Sequence, residues 1–421
     1  MNNKTNKIET CEICGNQNLI PVLNLGHHPM CDDLISIGDA RICREYPIEI
    51  VFCKNCITAH QRFQVPKQEL FPASYHYRSR FTADVLSGMK ELVASCEKKY
   101  GLLAGKKVLD IGCNDGSLLD FFKQRNAITF GIEPTAACGD AQAKGHLTYN
   151  DFLSKNIATE IVAKQGKPDL ITFTNVFAHI ENLQEVLAAL KILMGPHTVI
   201  IIENHYLGSI LDSNQFDTFY HEHPRSYSYT SFEHIARSLN TDLLDVEFPA
   251  RYGGNIRVFL GTALSTQHKP TIDVKELRQK ESHFLEIFAE LQKKIACWKK
   301  VKQHFIQEYV QKNGKLRAKA FPGRAAILAK LLELNAEMIS AVYEKPGSLK
   351  IGHYVPGTRI PIRSDEELFS LSDNTKPVLN LAWHIPKEIR TYLAENGYQG
   401  SIVDVLSPED FSPSANDTRI L

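Results

Sequence analysis

The sequence predicts an α/β protein in three parts: a small cysteine-knuckle module, a mostly parallel sheet with helices on both faces, and a second, smaller α/β unit. Three observations carry this. Six of the ten cysteines fall before residue 57. From Lys106 to about Gly261, apolar strand-like runs alternate with helical stretches, the rhythm of βαβ crossovers. After Gly314 a strand, a Gly turn and a helix begin afresh in KLRAKAFPGRAAILAKLL. The boundaries read as 1–70, 71–271 and 314–421, with a charged helical connector over 272–313.

The cysteines set the first unit. CEIC at 11–14 and CKNC at 53–56 are two Cys-x-x-Cys pairs, whose spacing lets both sulfurs of a pair face one ion. Cys11, Cys14, Cys53 and Cys56 are therefore expected to hold a structural zinc, closed by four thiolates. The alternatives are a redox pair or plain buried thiols. A redox motif follows a βαβ strand, which neither pair does. Cys31 and Cys43 read as bystanders.

The second unit carries a Gly-rich turn. KVLDIGCNDGSLLDFF is a strand ending near Asp110, then Gly112, Cys113, Asn114, Asp115 and Gly116, then an amphipathic helix. Glycine lets backbone approach a ligand closely. The D-x-G-x-N-x-G lettering lacks a third glycine and fits S-adenosylmethionine (SAM) better than a dinucleotide. A nicotinamide-binding Rossmann domain is the alternative. The next strand ends at Glu133-Pro134, where an acid can accept both ribose hydroxyls. Asp151 is placed at the adenine amine, Phe152 at its ring face, and Asn175-Val176 beneath the methionine moiety. Cys113 reads as a small packed residue.

The remaining chemistry lies in FDTFYHEHPRSYSY, where Tyr220, His221, Glu222 and His223 are consecutive. In a strand, Glu222 and His223 take opposite faces; in a turn they converge. His179 follows the Asn175 strand, as an active-site residue or a helix cap. Lys plus Arg equals Asp plus Glu, 48 against 48. That balance gives no general electrostatic case for nucleic acid or an acidic membrane. No apolar run approaches the ~20 residues of a membrane helix. MNNKTNKIET lacks a signal-peptide core, so a cytoplasmic protein is expected.

These motifs, with LNLGHHPMCDDL, ELFPASYHYRS, NVFAHI, GGNIRV, YVPGTRIPI and LAWHIPKEI, make the chain resemble, nearly end to end, the sugar C-methyltransferases of deoxysugar biosynthesis. The resemblance implies SAM-dependent methyl transfer to C3 of a nucleotide-linked 4-keto sugar. It implies His223 as general base, with Tyr220, Glu222 and His179 positioning the sugar. It implies an aromatic lid residue, Tyr75 in preference to Tyr77, and a nucleotide-sugar site in 314–421. Two segments depart from the family pattern: Tyr252-Gly253-Gly254-Asn255, and Ala320-Phe321-Pro322-Gly323-Arg324. Arg324 either pairs with a phosphate or begins a helix in solvent. Trp383-His384 faces the base or, as favoured, packs the core. Rival functions are O- or N-methylation of another metabolite, or non-catalytic nucleotide-sugar binding. A monomer is the expected state.

Overall fold

A computed structural model of the chain describes residues 5–71, 78–81, 83–262 and 272–411. Its centre is a seven-stranded sheet: β1 Lys107–Ile111, β2 Ile128–Ile132, β3 Leu147–Tyr149, β4 Leu170–Thr174, β5 Val199–His205, β6 Asp242–Glu247 and β7 Asn255–Gly261. The strand order is β6-β7-β5-β4-β1-β2-β3. β1 to β5 pair in parallel. Their apolar runs are buried on both faces, as a helix-covered parallel sheet requires. The order reverses between β1 and β4, so their C-terminal ends open a crevice. The hairpin β6–β7 is antiparallel and went unnoticed in the sequence.

The N-terminal module is an antiparallel sheet of Ile20–Pro29, Glu45–Cys53 and Thr58–Gln61. Its fourth strand comes from far along the chain. Arg225–Ser226 pairs with Thr58–Gln61, in register Arg225 to His60 and Ser226 to Ala59. This graft ties the segment just after His223 to the cysteine module.

The C-terminal unit is a parallel five-stranded sheet: β8 Leu316–Lys319, β9 Ile339–Glu344, β10 Ile362–Ser364, β11 Val378–Asn380 and β12 Ile402–Asp404. The order is β10-β9-β8-β11-β12. Here too the order reverses beside the first strand, and the Phe321–Arg324 turn opens at that point. A 30-residue helix, Phe284–Asn313, joins the parts. Phe288 meets Phe52 of the cysteine module and Phe219 of the central domain, and Trp298 donates its indole N–H to the Val405 carbonyl at 3.0 Å. Among the described residues, no helix is long and apolar enough to cross a membrane.

Candidate active site

A cavity of about 570 Å³ opens at the C-terminal ends of β1, β4 and β5 and is closed by loops of both flanking units. Gly112, at φ 70°, turns the chain out of β1. A Cβ there would lie 2.6 Å from a Val176 methyl, so glycine is required by both the backbone and the fit. Asn114 and Asn175 also sit in the left-handed region, at φ 49° and 55°, a conformation asparagine tolerates. The Glu133 carboxylate accepts from the Asn114 amide at 3.0 Å and from the Thr135 amide and hydroxyl at 2.9 and 2.6 Å. One acid thus holds the Gly turn against the end of β2.

Gly112, Asn114, Glu133, Pro134, Asp151, Phe152, Asn175 and Val176 all line the cavity. Asp110 and Gly116 are not among the lining residues. Asp110 is buried within β1; its carboxylate accepts from the Thr172 hydroxyl at 2.7 Å, and burial pushes it up to about 7. A Cβ on Gly116 would point at His146 and Ala141, behind the turn. The Phe152 ring carries the Lys67 ammonium 4.5 Å above its centroid.

The Tyr220–His223 segment is a turn, closed by the His223 amide donating to the Tyr220 carbonyl at 2.9 Å. Tyr220, Glu222 and His223 all reach the cavity. His221 points the other way and bonds the Tyr46 carbonyl at 3.1 Å. His179 lines the cavity, its ring 4.8 Å from His223. His179 Nδ1 lies 2.7 Å from the Glu222 carbonyl, and His223 Nδ1 3.0 Å from the Thr218 carbonyl. A carbonyl only accepts, so each Nδ1 carries the proton and each Nε2 is left with a lone pair. Burial holds His223 well below the usual imidazole range, helped by His179 and His205. Burial pushes the Glu222 carboxyl well up, with Asp32 adding to it and Lys350 opposing. The turn therefore offers a neutral base beside a neutral acid.

Several lining residues escaped the sequence. His205 ends β5, its ring 5.6 Å from His223. Cys31 takes no part in the metal cluster but lines the cavity with Asp32, Lys350 and Arg324. His384 also lines it, which corrects its assignment to the core, whereas Trp383 packs against the core as favoured. Arg324 is not a solvated helix start: its side chain is 11% exposed and lies 3.2 Å from Asp217. Tyr75 and Tyr77 lie outside the described residues. Asn255, in a departing segment, donates to Glu203 at 3.0 Å and to the Asn175 side chain at 3.3 Å, beneath the cavity floor.

Burial holds His179 near 4, and His205 and His384 near 3. These rings stay neutral when folded, while the unfolded chain takes up protons below about 6.5. Their contribution is thus fully present above that value and is lost as pH falls toward 4. The melting temperature should fall progressively across that window; a rise on acidification would contradict the burial of these rings.

Away from the cavity, the Sγ atoms of Cys11, Cys14, Cys53 and Cys56 all lie within 4.8 Å of one another. Cys11 and Cys56 are 3.4 Å apart, and Cys14 and Cys53 3.6 Å. Four thiols converging from two knuckles fit a tetrahedral zinc and leave no open position.

Three protein families match the chain in succession: a zinc binding domain over residues 11–71, a methyltransferase domain over 77–246, and a C-methyltransferase C-terminal domain over 250–405. Fold, cavity and matches together define the class: the chain is a SAM-dependent methyltransferase. Within that class it is similar to the C-methyltransferase NovU of Streptomyces niveus, 26% identical over 387 residues covering 91% of either chain. A shorter likeness, 31% identical over 112 residues, joins 23% of this chain to 46% of the ubiquinone biosynthesis O-methyltransferase of Pasteurella multocida. Among solved structures, the magnesium protoporphyrin IX methyltransferase ChlM from Synechocystis matches 43% of this chain and 80% of its own, at a TM-score of 0.31 and 17% identity.

Proposed function

We propose that the protein transfers the SAM methyl group to C3 of a nucleotide-linked 4-keto deoxysugar, with His223 as the base. The observation that carries this is the turn bringing the His223 imidazole, the Tyr220 phenol and the Glu222 carboxyl into the cavity formed around Gly112. In O- or N-methylation no carbon acid is involved, and His223 would deprotonate a hydroxyl or amine instead.

SAM would be held by Gly112, Asn114, Glu133, Asp151, Phe152, Asn175 and Val176, and supplies an electrophilic methyl. The substrate's C4 ketone acidifies the neighbouring C3–H. His223 Nε2 takes that proton, and the C–H electron pair becomes the C3=C4 bond of an enolate. C3 would then take the methyl group that bound SAM supplies, the sulfonium S–CH3 bond breaking to release S-adenosylhomocysteine as the ketone reforms. Tyr220 and Glu222 orient the sugar and donate to its oxygens as charge develops, while His179 positions the sugar beside His223. The nucleotide occupies the side of the cavity walled by the C-terminal unit, and a structural zinc fills the cysteine cluster.

Two experiments test this. Nucleoside-diphosphate 4-keto-6-deoxysugars, screened with labelled SAM, should yield one or more methylated products; a panel that stays unlabelled would sink the substrate class. Glu133→Ala should weaken SAM binding by roughly 1.5–3 kcal/mol, since a charged acceptor is lost. Unchanged affinity by calorimetry would remove Glu133 from the cofactor site.

A further inference from the structure

Arg324 belongs to the C-terminal unit, yet its hydrogen-bond and ion-pair partners belong to the central domain. Its Nη1 donates to the Thr218 hydroxyl at 3.1 Å. Its Nε lies 3.2 Å from Asp217 Oδ2, an oxygen that also accepts from the Trp383 indole at 2.9 Å. The Trp383 ring lies under the guanidinium, 5.2 Å from its centroid. With the Gln215 side chain 3.5 Å from Nη1, four groups fix the side chain, and it has no freedom to seek solvent. Among the described residues, its Nη2 and its Nε are both buried without a hydrogen-bond partner, the Nε approach to Asp217 being a charge contact. A buried guanidinium donor without an acceptor is costly unless something arrives to use it.

Thr218 decides where that donor sits relative to the base. Its carbonyl takes the Nδ1 proton of His223 at 3.0 Å, while its hydroxyl takes Nη1 of Arg324. One residue therefore sets the imidazole and the guanidinium in register across the same cavity wall. The proximity is also felt electrically, since Arg324 adds to the burial that keeps His205 and His384 neutral.

The reaction proposed above needs a cation at this place. An imidazole kept neutral by burial is a permanently available but weakened base. It can deprotonate carbon only if the enolate is stabilised strongly. C4 is bonded to C3, so the enolate oxygen forms next to the atom His223 attacks. We propose that Arg324 is a catalytic residue whose Nη2 donates to the C4 oxygen of the substrate as that oxygen gains charge. This rests on the function proposed above. A single guanidinium already facing Asp217 suits one oxygen that becomes negative transiently. It matches poorly the permanent double charge of a diphosphate, for which Lys350 also lines the cavity.

The test uses the 4-keto sugar nucleotide that the full-length enzyme methylates best in the panel. Three quantities are measured for wild type, Arg324→Gln and Arg324→Lys: methyl transfer, solvent deuterium exchange at C3 with S-adenosylhomocysteine bound, and inhibition by the free nucleoside diphosphate. Arg324→Gln should slow both methyl transfer and exchange by about 10²–10³, the usual cost of one oxyanion donor, and leave inhibition by the diphosphate unchanged. Arg324→Lys should recover part of both rates. If Arg324→Gln does not fold, the lysine variant gives the same reading, with slowed exchange and intact inhibition. Exchange at the wild-type rate would overturn the proposal. So would inhibition by the diphosphate weakening in step with turnover, which would make Arg324 a phosphate ligand. If the wild type neither methylates nor exchanges any member of the panel, the proposed function fails first and takes this role with it.

Discussion

Replacing His223 by alanine should reduce methyl transfer by roughly 10²–10⁴, the range lost with a general base, and leave SAM affinity intact. The position explains the size. His223 is 6% exposed, lies in the turn that faces the Gly112 side of the cavity, and has its Nδ1 tied to the Thr218 carbonyl. No neighbour replaces it easily. Tyr220 is pushed well above the ordinary phenol range by burial and is a donor, not a base. Glu222 is held protonated by its surroundings. His179 and His205 are the neighbouring imidazoles, with rings 4.8 and 5.6 Å from His223, and replacing either by alanine should cost less than His223→Ala. Exchange at C3 separates the roles: it should vanish in His223→Ala and persist in Tyr220→Phe. Near-normal turnover in His223→Ala would assign the base elsewhere.

Replacing Cys53 by serine, or stripping the metal with a chelator, should have the larger structural effect. Structural zinc in isolated modules contributes apparent folding free energies of about 10–16 kcal/mol. Here the loss would reach the active site through the backbone. Cys53 ends the strand that pairs with Thr58–Gln61, and that strand carries Arg225–Ser226. Arg225 is buried and paired with Glu12, between Cys11 and Cys14, at 2.6 Å. Losing the cluster should therefore loosen the Tyr220–His223 turn. The expected result is about one zinc per chain by metal analysis, and lower soluble yield and melting temperature for Cys53→Ser. Well-folded protein free of zinc would contradict the structural role.

How much of this was legible in the sequence follows from how local each signal is. The strand–Gly turn–helix at 107–123 and the Cys-x-x-Cys knuckles are short-range patterns, and both formed where they were read. The convergence of Tyr220, Glu222 and His223 depended on choosing turn over strand, which the letters left open. An acid at a strand end reads alike whether it faces ligand or sheet, and Asp110 accepts from the Thr172 hydroxyl within the sheet. A glycine required for a left-handed helix start, as Gly116 is at φ 75°, looks the same in sequence as one required by a ligand. His205 was in principle visible: it ends the apolar run VIIIENH, at the edge where α/β sites form. Asp32 and Lys350 were not visible, since only the tertiary fold brings their distant loops to the cavity, and for His384 the sequence left both the cavity and the core open.

The central claim is carbon, not oxygen, methylation of a keto sugar, and one measurement meets it directly. The enzyme is given ¹³C-methyl-labelled SAM and the nucleotide 4-keto sugar it turns over, and the product is examined by NMR. The account predicts a labelled methyl bonded to sugar carbon, with a long-range coupling to C3 and C4 and the C3 proton gone. A labelled methyl bonded to oxygen, with the C3 proton retained, would contradict it.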